Sequence, residues 1–312
     1  MTLDQATQDL LAAYAARGLP PIHLSTPEAA RVAGARGWDA LGAGPEMYSV
    51  AEHTVASVDG EFRVRVLRPV EQPSAVVVYL HGGGWVLGDI DGYDTLGRLL
   101  AVKSGATVVL ANYRKAPEHP FPLPVEDAWA ALCWAFERRE QLAGGGTNPV
   151  PVMVAGDSAG GNLAAVTVLR ARDVGGPEVS QQLLVYPITD CDRTRPSYVD
   201  PANQLMLSAA TMAWFFDHYV GEGDRTRPEV SPLRAPDLSG LPETTMVLAV
   251  HDPLYDEGRE FAARLRASGV RVDVKIHADQ LHGFLQMVNI LPASENALNH
   301  LAHRIRGGST AT

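Results

Sequence analysis

The residues of this sequence that point first to chemistry are Gly156-Asp157-Ser158-Ala159-Gly160-Gly161. The apolar run Val152-Met153-Val154-Ala155 leads into them, and Asn162-Leu163-Ala164-Ala165-Val166 leads out at helical spacing. A strand, a sharp turn and a helix are therefore predicted. The turn has the form G-x-S-x-G, which forces a serine onto a strained corner with its hydroxyl exposed. Gly156 and Gly160 lack the Cβ atoms that would crowd such a corner. The helix start after Ser158 offers free backbone N–H groups and a positive dipole end, which suit a developing oxyanion. Small residues that merely pack a strand on a helix would look the same, so the serine needs partners elsewhere.

Three successive glycines in His81-Gly82-Gly83-Gly84 let a turn aim its N–H groups at one point. With the N–H of Ala159, those of Gly83 and Gly84 could surround the oxyanion of a tetrahedral intermediate. The bland alternative is a flexible turn; a phosphate loop would need G-x-G-x-x-G or G-K-[ST], and neither is present. A nucleophilic serine needs a base, and the base an orienting acid. Of ten histidines, His282 follows a strand expected to end near Ile276, at the edge where α/β folds build their sites. His251, His277, His300 and His303 compete. His251 precedes Asp252, and neighbours in an extended chain point oppositely. His300 and His303 fall on a terminal helix and are expected to be solvated. Asp252 directly follows a strand over Val247–Val250, whereas Asp256 and Glu257 come a turn later and are expected to cap or face the helix.

The elements that must position these groups can be read in order. Residues 1–20 form an amphipathic helix with Leu3, Leu10, Leu11 and Tyr14 on one side. Thr26-Pro27-Glu28 starts a second helix. His23 and His53 read as surface residues. Val50–Val58 and Phe62–Leu67 alternate around Asp59-Gly60, a hairpin pattern. Continuous apolar runs follow at 75–80, 107–111, 183–186 and 245–250, as in strands buried on both faces. Helices are predicted over 125–140, 255–268 and 298–306, a loop at Gly144-Gly145-Gly146, and a last strand over 270–276. This alternation implies an α/β fold with a mostly parallel sheet flanked by helices. Residues 190–236 separate two strands by far more than the usual loop and carry a helical, aromatic-rich stretch over 206–220. The expected organisation is an N-terminal part of a helical cap over 1–48, a catalytic domain over 49–189 and 237–312, and a cap insertion over 190–236.

Composition narrows the function classes. The 312-residue chain is 46% hydrophobic and carries a net charge of −10, which argues against a nucleic-acid footprint. Two cysteines are too few for a disulfide scaffold or a zinc site, and no metal is expected. Residues 1–20 lack a basic region before an apolar core, and no run approaches the ~20 apolar residues of a membrane span. A cytoplasmic protein without stable membrane association is expected.

Taken together, these motifs resemble the hormone-sensitive-lipase-like carboxylesterases, the bacterial family IV esterases. The matching stretches are HGGGW at 81–85, Asn112-Tyr113-Arg114 with Ala116-Pro117-Glu118-His119-Pro120-Phe121-Pro122, GDSAGGN at 156–162, Asp252-Pro253-Leu254 with Asp256-Glu257-Gly258, and His282-Gly283-Phe284. The likeness covers nearly the whole chain and is weakest over 1–45 and 190–205. It implies an α/β-hydrolase fold with Ser158 as nucleophile, His282 as general base, Asp252 as orienting acid, and Gly83, Gly84 and Ala159 as oxyanion donors. It also implies a small-molecule ester substrate, no cofactor, and a homodimer formed through the last strand. His81 and Asp157 read as structural supports. Lys115 departs from the family, which usually has an apolar residue there. Trp85, next to the oxyanion glycines, is expected beside the reacting carbonyl, and Trp214 and Phe215 of the cap are expected over the site. An amidase or formamidase would use the same groups. A ligand-binding protein on this fold, as in plant gibberellin receptors, would lack the catalytic histidine, so His282 argues against it.

Overall fold

The computed structural model describes residues 2–145 and 150–307, which leaves Gly146 of the expected glycine loop outside the described residues. Strands β1 (Ser49–Ser57) and β2 (Gly60–Arg68) form the hairpin, with Asp59 at φ 56° in its turn. They continue into β3 (Val76–Leu80), β4 (Thr107–Ala111), β5 (Val152–Asp157), β6 (Gln181–Val185), β7 (Glu243–His251) and β8 (Val272–Leu281). The sheet order is β1-β2-β4-β3-β5-β6-β7-β8. The first two strands run antiparallel and the other six are parallel. Every residue of β3, β4, β5 and β6 is buried, which is why these strands read as unbroken apolar runs.

The helices are α1 (Gln5–Ala16), α2 (Pro27–Ala35), α3 (Asp94–Ser104), α4 (Leu123–Glu137), α5 (Arg139–Leu142), α6 (Ala159–Asp173), α7 (Pro196–Val199), α8 (Ala209–Tyr219), α9 (Tyr255–Ala267) and α10 (Pro292–Ile305). Leu96 and Leu100 of α3 and Leu298, Leu301 and Ile305 of α10 fill one face of the sheet. Residues of α4, α6 and α9 fill the other, and Phe215, Phe216 and Tyr219 of α8 join that second core. Thr26 caps α2 by accepting from the Ala29 N–H, with Pro27 in the first turn, as its sequence predicts.

Four details differ from the sequence reading. Helix α3 was not anticipated, because its buried face includes Thr95, Gly97, Ala101 and Ser104 and carries little apolar signal. Strand β8 continues five residues past Ile276, through the polar stretch His277–Gln280, because an edge strand need not alternate cleanly. Helix α10 begins at Pro292, where proline suits the first turn. His23 is half-buried rather than exposed, with its Nδ1 3.5 Å from Thr211 Oγ1 at the start of α8.

Candidate active site

Ser158 stands between β5 and α6 at φ 55° and ψ −119°, a conformation that costs a non-glycine residue strain. Its neighbours hold it there. The Ser158 N–H donates to Val185 O, and Ile188 N–H donates to Ser158 O. A Cβ on Gly160 would run into the Leu80 and His81 carbonyls, so the Ser158 turn can sit against the end of β3 only with glycine there.

The other two groups arrive from the sheet edge. In the β7–β8 pair the register shifts between Ala249 and His251, so that His251 lies opposite Leu281. Asp252 and His282 therefore leave their strands side by side. His282 Nδ1 lies 2.7 Å from Asp252 Oδ2, and His282 Nε2 lies 2.9 Å from Ser158 Oγ. The carboxylate sets the tautomer: Nδ1–H donates to Asp252, and the Nε2 lone pair faces the serine hydroxyl. Asp252 is fully buried, and its other oxygen accepts from Leu254 N–H at 2.8 Å.

The competitors lie elsewhere. Burial pushes the His277 imidazole down to about 4, and its ring packs on Phe284. His300 is not solvated as expected; it lies 2.8 Å from Asp273 on β8. Asp256 accepts from the Ser197 N–H at 2.8 Å. Glu257 does not face its own helix. Its carboxyl is fully buried and accepts from the N–H groups of Thr189 and Asp190 at 2.6 and 3.2 Å. Burial raises it to about 8.

Gly83, Gly84 and Trp85 follow one another at φ 113°, 60° and 61°. Among the described residues, the N–H groups of Gly83 and Gly84 donate to no protein group. Gly82 is different: its N–H donates to Tyr93 Oη and Asp157 Oδ1 at 3.0 and 3.1 Å. Asp157 also accepts from Tyr79 Oη at 2.9 Å and Tyr93 Oη at 2.8 Å. Burial raises its carboxyl to about 6 even though the tyrosine bonds oppose that rise. His81 is held neutral, its imidazole pushed down to about 3 by burial, and it stacks on Tyr113 at 4.4 Å.

The aromatic residues separate into two roles. The ring of Phe215 lies on Gly84, where a Cβ would collide with it. Trp214 is half-buried, edge-on to Phe215 and His218. The Trp85 indole has no exposure, stacks flat on Tyr219 at 4.2 Å and tilts against Phe216. It joins the glycine turn to α8. Lys115 lies 3.3 Å from Asn112 Oδ1, and burial pulls its amine down to about 8.

Sequence reasoning missed Tyr186, whose ring packs 4.6 Å from that of His282 with the backbone at φ 34°. Only its place at the end of β6, beside the nucleophile strand, could have signalled it. It also missed Asn162, whose side-chain amide donates to Ile188 O and Val230 O and so joins α6 to the insertion. Among the described residues no cluster of metal-ligating side chains occurs, and no helix is long and apolar enough to cross a membrane.

Fold and site together define an α/β hydrolase. A family model described as alpha/beta hydrolase fold matches residues 77–286, and the chain belongs to that family, as its motifs led us to expect. More particularly, it is 42% identical to the carboxylesterase NlhH of Mycobacterium tuberculosis, over 81% of this chain and 80% of that protein. It is 33% identical to an ethyl acetate hydrolase of Pseudomonas putida, over 80% of each chain. Among solved structures, a hyperthermophilic esterase of Pyrobaculum calidifontis superposes with a TM-score of 0.91 at 36% identity, covering 98% of this chain and 99% of that one.

Proposed function

We propose that this protein is a serine carboxylesterase acting through an acyl-enzyme on short- to medium-chain acyl esters. One observation carries the reading: the unbroken chain from Asp252 through His282 to Ser158, at 2.7 and 2.9 Å. The esterase names of the relatives support the choice of ester.

In this mechanism Ser158 Oγ attacks the ester carbonyl while His282 Nε2 takes its proton. Asp252 holds the imidazolium. The N–H groups of Gly83, Gly84 and Ala159 stabilise the oxyanion, and His282 then protonates the leaving alcohol. Water, activated by the same imidazole, attacks the acyl-enzyme, and the acid leaves with Ser158 restored. The N-terminal helices and the 190–236 insertion act as a cap, with Phe215 over Gly84 and Trp214 beside it bounding the acyl pocket.

The test is direct. Ser158→Ala should leave the fold intact and abolish ester hydrolysis, and an organophosphonate should label Ser158 alone. A fully active Ser158→Ala protein would end the proposal. Rates on esters and matched amides, measured side by side, separate an esterase from an amidase that uses the same triad.

A further inference from the structure

The turn that carries Gly83 and Gly84 holds three consecutive positive φ angles, one of them at a tryptophan. Such a run is sparsely populated and persists only where its surroundings over-determine it. Its restraints can be traced. On the inside, Gly82 N–H is held by Asp157 and Tyr93. Within the turn, Val86 N–H and Leu87 N–H donate to Gly83 O. Behind it, Ala116 N–H donates to Trp85 O at 2.9 Å. On the outside, a side chain arrives from α2, far earlier in the chain. Arg31 Nε donates to Val86 O at 2.8 Å, and an Nη of the same guanidinium donates to Ala116 O at 2.8 Å.

We infer that Arg31 is a positioning residue, which sets the oxyanion donors of Gly83 and Gly84 from the N-terminal half of the cap. The guanidinium spans the joint between segments 85–86 and 116–118, which the Ala116–Trp85 bond already ties together. Glu118 fixes the fork itself by accepting from both terminal nitrogens at 2.7 Å. Arg31 pulls that carboxyl down to about 2, so the pair stays ionised across the working pH range. Planarity matters here. One rigid fork meets two carbonyls and a carboxylate at once, which a lysine ammonium on a flexible stem cannot do.

The consequence concerns rate more than affinity. A displacement of about 1 Å in a catalytic group costs on the order of 10² in rate, and loss of an oxyanion donor costs about 10²–10³. An interaction made only in the transition state lowers kcat and kcat/KM together. Arg31→Ala should therefore lower kcat by roughly 10- to 100-fold while KM moves little. Arg31→Lys should behave like Arg31→Ala. Glu118→Gln, which leaves both carbonyl bonds in place, should cost much less than either.

The inference rests on the proposed roles of Ser158 and the two glycines, so the experiment reads both. Steady-state kinetics on a short-chain 4-nitrophenyl ester and the rate of organophosphonate labelling are measured for wild type and the three variants, with near-UV circular dichroism as the check on folding. The expected result is a parallel fall of kcat and labelling rate in folded Arg31→Ala, partly restored by millimolar guanidinium ion. A folded Arg31→Ala protein with unchanged kcat, or with only KM raised, overturns the inference. Should Arg31→Ala not fold, Arg31→Lys decides: full kcat overturns the inference and a low kcat with intact KM upholds it. A wild-type protein that the phosphonate does not label at Ser158 defeats the underlying mechanism instead.

Discussion

Ser158 is held at a backbone conformation that few serines adopt, and two carboxylates that follow β7, Asp252 and Asp256, differ because their surroundings differ. Asp252 faces an imidazole and a backbone N–H, the setting of the proposed orienting acid. Asp256, four residues later, serves the Ser197 backbone. Asp252→Asn should lower kcat by on the order of 10⁴, because the amide favours the wrong imidazole tautomer. Asp256→Asn should cost far less, and the reverse ranking would move the acid to Asp256. Glu257 gives a stability prediction. Its carboxyl sits at about 8 in the fold, against 4.5 in an unperturbed glutamate, so between those values the native state holds a proton that the unfolded chain has lost. Its contribution is full below about 4.5 and is lost as pH rises to about 8. Glu257→Gln keeps the acceptor for the Thr189 N–H but cannot ionise. The wild-type melting temperature should drop relative to that of Glu257→Gln by several degrees between pH 5 and pH 8. Parallel curves for the two proteins would show that Glu257 does not titrate in this range.

Among the elements, α8 is the one from which a prediction on ester size follows. Ser208 caps it by accepting from the Thr211 N–H, and Met212, Phe215, Phe216 and Tyr219 fall on its buried side at helical spacing. Phe216 and Tyr219 are spent on Trp85, which seats the helix. That leaves Phe215 over Gly84 with Trp214 edge-on to it. A pocket closed by fixed aromatics gains roughly 0.8 kcal/mol for each acyl methylene it buries until it is full. In a 4-nitrophenyl ester series, kcat/KM should rise from acetyl to about butyryl or hexanoyl and then fall, on that burial argument. Phe215→Ala should move the maximum to longer chains. A preference for palmitoyl esters, or a jump in rate at a lipid interface, would mean that α8 swings aside as a lid.

At the scale of the whole molecule, the sheet has one protected edge question, and it lies at β8. The hairpin terminates one side with β1, and β8 ends the other. Ile276 is exposed on β8, with Val272 and Val274 half-buried beside it. An edge with unpaired backbone groups and an apolar row is a pairing template. A second copy could use it symmetrically, as in the commonest oligomers. Light scattering at micromolar concentration should show a dimer, and Ile276→Glu should give a monomer of unchanged fold. A monomeric wild type would point to the charges along this edge, the exposed Arg271 first and then Lys275, as the groups that keep it soluble, since Asp273 is paired with His300.

Local sequence determined most of the fold and singled out Ser158, Asp252 and His282 as candidates. The runs at 76–80, 107–111 and 152–157 are apolar throughout because both faces of a parallel strand are covered, and that pattern survives in any context. The nucleophile turn was legible because its glycines answer to a close approach of backbone to backbone. Asp252 and His282 were legible because chain order and strand ends locate them without coordinates. Tertiary structure decided the rest. Whether Trp85 faces substrate or core depends on Tyr219, 134 positions away by the numbering, which no local pattern records. Glu257 looked like an ordinary helix-face carboxylate until the chain after β6 folded over it. No local pattern marks Arg31 out in the sequence. Its role exists only because α2 packs where the Val86 and Ala116 carbonyls converge, and long-range geometry of that kind is not written in periodicity or composition.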